Sequence, residues 1–427
     1  MRITVNFRLD AQWRMRFRLT AAATMFLAAT YVPAFANNTL ITLASFDRTN
    51  GSYPEGGVML SGGMIYGTAT GGGAYGDGSV FSLPVNGGSL TAISSFNNTN
   101  GSAPYGNLAI SGGRLYGTTH SGGSYNSGTI FITGTGGGTP ATILTFKGTN
   151  GDNPYAGFIS SDGVLYGTTY MGGGGGSYGV VYSIPVAGGP ETVLATMPSF
   201  VDGQGPRAGV TIVGNTLYGT TTSGGAYGDG TVFSVPITGG TPIVLASFNG
   251  TNGKLPYGSL IAVGGNLYGT TAIGGTSNDG VLFSLPIGGG KPATLISFNG
   301  TDGQDPWAGL AVSGDTLYGT TLYGGALGYG EVFAEPITGG PPTVLASFDG
   351  AAGAYPVAPV TIDGNTLYGT TLEGGTDNVG TIYELAVPEP GAVVLLAAGV
   401  TAIILLGRNR GKTVVNQHKK KQKNVTC

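Results

Sequence analysis

Seven positions along this 427-residue chain, each directly after a proline, carry Glu55, Tyr105, Tyr155, Arg207, Tyr257, Trp307 and Val357. The framework around them recurs from stretch to stretch, while these residues change. Aromatic planes with one carboxylate and one guanidinium suit sugars. Rings stack on apolar sugar faces, and a few polar groups hold the hydroxyls. The same residues would also serve as a simple plug, since aromatics on a repeating scaffold are not by themselves a site.

Other chemistry is sparse. His120 and His418 are the only histidines and Cys427 is the only cysteine, so no intrachain disulfide and no cysteine metal cluster can form. A Ser-His or Cys-His arrangement would have to rest on His120, which stands where other repeats carry Thr70, Tyr170, Thr222, Ala272, Leu322 and Leu372. That variability reads as a surface residue. Asp77, Asp229 and Asp279 precede glycines without the alternating acidic ligands of a calcium loop, and they read as turns. Gly-Gly pairs such as Gly122-Gly123 have no following Lys and open no helix, so they are not phosphate loops. Neither a metal nor a cofactor is expected. Asn-x-Thr at Asn37, Asn97, Asn249 and Asn299 matches the glycosylation pattern and equally matches turn composition. A carboxylate pair for polysaccharide cleavage, such as Asp302 and Asp305, would need its carboxyls about 5–10 Å apart across a cleft.

Charge narrows the partners. Between residues 37 and 387 there are six basic and nineteen acidic residues, a formal charge of −13. Such a domain repels nucleic acid, and nucleic-acid binding is not expected.

The elements that must position the varied residues repeat. Leu-Tyr-Gly-Thr-Thr or a close variant occurs seven times, with its tyrosine at 66, 116, 166, 218, 268, 318 and 368. Each unit of about 50 residues reads as four short strands, a to d. In the second, these are Tyr105–Ile110, Arg114–Thr119, Thr129–Ile132 and a strand ending at Thr145-Phe146, with a Gly-Gly turn after a and a glycine-rich loop after b. Four antiparallel strands of five to seven residues per unit describe a blade, and seven units predict an all-β, seven-bladed propeller. The motif tyrosines should pack between blades. A lone strand d, Thr39–Phe46, precedes the first unit, and none follows the last strand c, Thr381–Leu385. The orphan should pair with the last blade and close the ring, removing open sheet edges. Strand a lines the channel of such a ring, which would place the seven varied positions at its mouth.

The ends read as addresses. Arginines fill residues 1–18, a 14-residue apolar run spans Leu19–Val32, and Ala34-Phe35-Ala36 supplies the small residues of a signal-peptide cleavage site. Residues 1–36 are therefore expected to be removed. At the other end Pro388-Glu389-Pro390 precedes a mostly apolar stretch, Gly391–Gly407, and then Arg408-Asn409-Arg410. This resembles the PEP-CTERM sorting signal of Gram-negative bacteria, which implies an exosortase-like processing enzyme as partner, membrane engagement through 388–410 and an extracellular-polysaccharide setting. Two features depart from that pattern: Asn409 interrupts the basic pair, and a basic tail, 411–427, follows. The repeat is similar to that of bacterial choice-of-anchor tandem-repeat proteins, the GloVer-type repeat, a resemblance that implies an address and no catalytic residues.

The expectation is an exported, envelope-associated, non-catalytic propeller over 37–387. It binds extracellular glycan or protein, with Glu55, Tyr105, Tyr155, Arg207, Tyr257 and Trp307 as candidate ligand contacts. A polysaccharide lyase or glycosidase using loop-face carboxylates, and a purely structural surface component, are the alternatives.

Overall fold

The computed structural model describes residues 39–174 and 178–387. The expected signal peptide with Ala34 and Ala36, and the sorting segment with Pro388, Glu389, Pro390, Arg408 and Arg410, lie outside the described residues. Among the described residues no helix is long and apolar enough to cross a membrane.

The chain opens with β1 (Leu40–Ser45) and then builds blade 1 from β2 (Met59–Ser61), β3 (Met64–Ala69), β4 (Ser79–Pro84) and β5 (Thr91–Ser95). Strands β6 to β25, from Ala109 to Ser347, repeat this unit five times, and β26 (Thr361–Asp363), β27 (Thr366–Thr371) and β28 (Thr381–Ala386) follow. Seven antiparallel four-stranded sheets result, the seven-bladed propeller expected. The last has the order β1-β28-β27-β26, with Leu40 opposite Leu385 and Ser45 opposite Thr381. The N-terminal strand thus closes the ring. Its pairing also places the start of β1 and the end of β28 on the face that carries the short hairpin turns.

The motif is a strand whose every residue has a separate task, dictated by the alternation of sides along a strand. Leucine faces the preceding blade: Leu115 is fully buried with Tyr66, Val80 and Phe96 of blade 1. Tyrosine faces the following one, as Tyr166 does against Leu217 and Phe233. Glycine lies under the strand-c aromatic paired with it. A Cβ on Gly67 would stand 2.4 Å from Phe81, and one on Gly117 would stand 2.5 Å from Phe131. The aromatic in turn receives the ring that ends strand d of the preceding unit, with Phe96–Phe131 centroids 4.8 Å apart and edge-to-face. Met197 replaces that ring in the third interval, which is two residues longer than the others, one residue being added in the b–c loop before it and one in the loop after it.

The first threonine of the motif stitches blades together. Thr68, Thr118, Thr168, Thr220, Thr270, Thr320 and Thr370 each donate a hydroxyl to a backbone carbonyl of the next blade. The acceptors are Gly106, Ala156, Ala208, Gly258, Ala308, Ala358 and Gly56, in every case the residue directly after a varied position. The second threonine pins the loop after strand b, as Thr169 does by donating to the Met171 carbonyl at 2.7 Å.

The innermost strands are shorter than expected, three residues each, and begin four residues after the varied position rather than at it. Crowding at the axis is the reason. Seven backbones converge there, and the small residues leave the ladder to pack on their neighbours. A Cβ on Gly106 would lie 2.3 Å from the Gly157 nitrogen.

Candidate functional site: the channel mouth

Each varied residue is aimed by an anchored loop. The residue before each loop proline has a left-handed backbone: Tyr53, Ala103, Asn153, Gly205, Leu255, Asp305 and Tyr355, with φ between 54° and 67°. Six of the seven are not glycine, so the conformation is strained and has to be held. Two hydrogen bonds hold it. The N–H of Ala103 donates to the Asp77 carbonyl in the b–c loop of the preceding blade, and its carbonyl accepts from the His120 N–H at 3.0 Å in its own blade. The same pair of bonds occurs at all seven positions, from Tyr53 with Val379 and Thr70 to Tyr355 with Tyr329 and Leu372. The pre-proline residues escaped the sequence reading because their side chains vary; only their place before proline repeats.

The seven side chains they aim all reach one cavity of about 310 Å³ at the long-loop end of the channel. Its rim is Glu55, Tyr105, Tyr155, Arg207, Tyr257, Trp307 and Val357, every one half-buried. Arg207 occupies the middle of an aromatic cage, with its guanidinium carbon 4.8 Å from the Tyr155 ring centre, 4.7 Å from Tyr257 and 5.0 Å from Trp307. Cation–π attraction of about 0.5–2 kcal/mol per ring favours that placement. Tyr257 and Trp307 also meet edge to face at 5.0 Å, and Tyr105 lies 5.2 Å from Tyr155.

Burial pushes the Glu55 carboxyl up to about 7, against the opposing pull of Arg207. The two are not paired: the one ion pair among the described residues is Lys254 with Asp229, at 3.2 Å. Burial likewise raises the Tyr105, Tyr155 and Tyr257 hydroxyls.

His120 departs from its expectation as an isolated surface residue. It is half-buried, with its ring 4.5 Å from Tyr155 and 5.3 Å from Tyr105, and burial lowers its pKa. The b–c loop starts beside the mouth, so a residue that looks arbitrary in the sequence becomes an outer wall of the site.

Acidic residues of both kinds, those expected in turns and the candidate pair, have local partners. Asp77 accepts from the Ser102 hydroxyl at 3.0 Å, and Asp302 accepts from the backbone and side-chain nitrogens of Asn299. Asp305 is half-buried, and burial with the nearby Asp279 raises it to about 6. The Asn-x-Thr threonines close turns: Thr99, Thr251 and Thr301 donate to the side-chain oxygens of Asn97, Asn249 and Asn299.

The Gloeobacter/Verrucomicrobia repeat family matches residues 28–233 and 213–402. No curated protein matches the chain. Among solved structures, the extracellular domain of a protein described as a one-component system of B. thetaiotaomicron is similar in fold, with 12% identity and a TM-score of 0.54 over 81% of this chain. This chain spans 40% of the length of that one. A protein described as a 6-phosphogluconolactonase of Bacteroides uniformis has 16% identity and a TM-score of 0.46, over 72% of this chain and 88% of its own.

Proposed function

This chain belongs to the Gloeobacter/Verrucomicrobia repeat family, and we propose that it is an exported, envelope-associated propeller that binds extracellular glycan at the channel mouth without turning it over. One observation carries the reading. The repeats share the framework that builds a blade, yet their seven variable post-proline side chains converge on one cavity and present four aromatic rings with an arginine. Rings of this kind offer stacking platforms to sugar faces.

The address rests on the end segments: a signal peptide before residue 37, and a PEP-CTERM-like segment from Pro388 that engages the membrane and an exosortase-like enzyme. Val387 is held to the short-turn face through its N–H, which donates to the Asn365 carbonyl at 2.8 Å. A membrane segment starting at the next residue leaves the mouth facing the medium, where binding loops on a rigid scaffold are useful.

The test is a glycan array probed with the purified chain, coupled to mass spectrometry of released products. Retained binding with no product is the expected result. Product release would favour the lyase or glycosidase reading, which uses loop-face carboxylates. The absence of binding to any glycan would leave a structural surface component.

A further inference from the structure

Within the glycan-binding reading on which this rests, we propose that the mouth selects acidic polysaccharide, with Arg207 receiving the carboxylate of a uronic-acid residue. The cage explains why. Guanidinium faces stack on rings, while the five N–H donors lie in the plane of the group and point along its edge. The rings of Tyr155, Tyr257 and Trp307 surround the guanidinium of Arg207, and none of its N–H groups makes a hydrogen bond or ion pair among the described residues. A half-buried guanidinium with unused donors, set among aromatic rings, is a receptor for a planar two-oxygen anion, which it binds through two parallel hydrogen bonds.

The rest of the mouth fits a sugar around that anion. The three caging rings flank the guanidinium on blades 3, 5 and 6, so a carboxylate docked on its edge brings its pyranose ring against aromatic surface. Glu55, the carboxyl that also lines the cavity, is not joined to Arg207 and so does not occupy the receptor. The other five basic residues between 37 and 387 do not line this cavity, so the anion site has a single cation at its centre. The domain is otherwise acidic, but charges beyond about 8 Å are largely screened at physiological ionic strength. Selection is therefore local to Arg207.

The experiment prints pectate, alginate, hyaluronate and glucuronoxylan beside their carboxyl-reduced counterparts, together with neutral glucans and galactans, and probes them with the full chain. Binding to at least one acidic polymer, weakened tenfold or more by carboxyl reduction, is expected. Arg207→Met, which keeps the stem and removes the donors, should erase the difference, and Arg207→Lys should restore it only in part. Thermal melting of each variant shows whether the propeller is intact. Equal binding to acidic and reduced forms, or a preference that survives Arg207→Met in a folded protein, overturns acid selection while glycan binding stands. Binding to neutral glycans alone does the same. Silence across the whole array overturns both.

Discussion

The hydroxyl of Thr370 donates a hydrogen bond of 3.2 Å to the carbonyl of Gly56, a residue 314 positions earlier in the chain. This bond is the seventh of the inter-blade stitches and the one that spans the closure. It also joins scaffold to site, because Gly56 follows Glu55. Removing the donor by Thr370→Val should leave a buried carbonyl unpaired and cost about 1–3 kcal/mol. Thr370→Ser should recover most of that. Urea unfolding of the three proteins measures it, and an unchanged midpoint for the valine variant would show that the stitch adds nothing.

Closure also depends on β1. A chain lacking residues 39–46 loses the strand that pairs with β28 and the Phe46 ring that meets Phe81 at 5.1 Å. An exposed edge then runs along β28, and aggregation or a broad, non-cooperative melt is expected. Light scattering and calorimetry report both. A truncated chain that melts like its parent would mean that the ring is held without this strand.

Tyr257 and Trp307 are half-buried at the rim, away from the inter-blade layers. Replacing both by alanine should preserve the melting temperature within a few degrees and weaken glycan binding by about 1–3 kcal/mol through lost stacking. It should also loosen Arg207. Calorimetry on the polymer selected by the array measures the loss, and unchanged affinity would return the rings to the role of a plug.

Glu55 should give the proposed binding a pH dependence. Arg207, Tyr105 and Tyr155 face it, and burial places its titration at about 7. Below that pH the carboxyl is neutral and leaves the arginine charge uncompensated. Above it, a carboxylate repels the incoming anion. Affinity for an acidic polymer should therefore fall between about pH 6 and about pH 8. The tyrosine hydroxyls, raised by burial, stay neutral across this window, and burial moves His120 down, toward its acidic end. Glu55→Gln should flatten the profile. A glutamine variant with the original slope would assign the titration elsewhere.

A second carboxyl sets the pH response of the fold itself. Glu335 is fully buried in blade 6, its two oxygens have no partner, and burial raises it to about 8. Its counterparts in other blades include Leu83, Ile184, Val235, Leu285 and Leu385, all fully buried. The folded state holds the proton more tightly than the unfolded chain, so the penalty is absent below the ordinary value of 4.5 and grows until the pH passes about 8. Glu331, raised to about 7 with one oxygen bonded to Ser347, adds to the same slope. Stability should thus decline from mildly acidic to alkaline pH. Glu335→Leu should raise stability at pH 8 by about 1–4 kcal/mol and reduce the slope. Melting curves across pH decide it, and a leucine variant no more stable than the parent at alkaline pH would show that the buried carboxyl is compensated.

The fold was legible in the sequence because its information is local and repeated. The alternation in Leu-Tyr-Gly-Thr-Thr assigns sides of a strand, Gly-Gly marks a hairpin, and an orphan strand d at one end matches a missing one at the other. Strand b of the second unit ran from Arg114 to Thr119 in both readings. Even the variable post-proline positions stood out against the repeat. Their chemistry did not. Arg207 touches Tyr155 and Trp307, 52 and 100 residues away in the chain, only because closing the ring brings blades 3, 4, 5 and 6 around one axis. Nothing near Arg207 in the sequence announces a cage of rings. The same holds for His120, drawn against Tyr105 and Tyr155 by the loop that follows strand b, and for Glu335, which differs from its apolar counterparts by one residue in one blade. Local periodicity determined the blades and their number. Convergence about the axis, a property of the closed ring, decided which side chains meet, which charges lack partners and where protons are held.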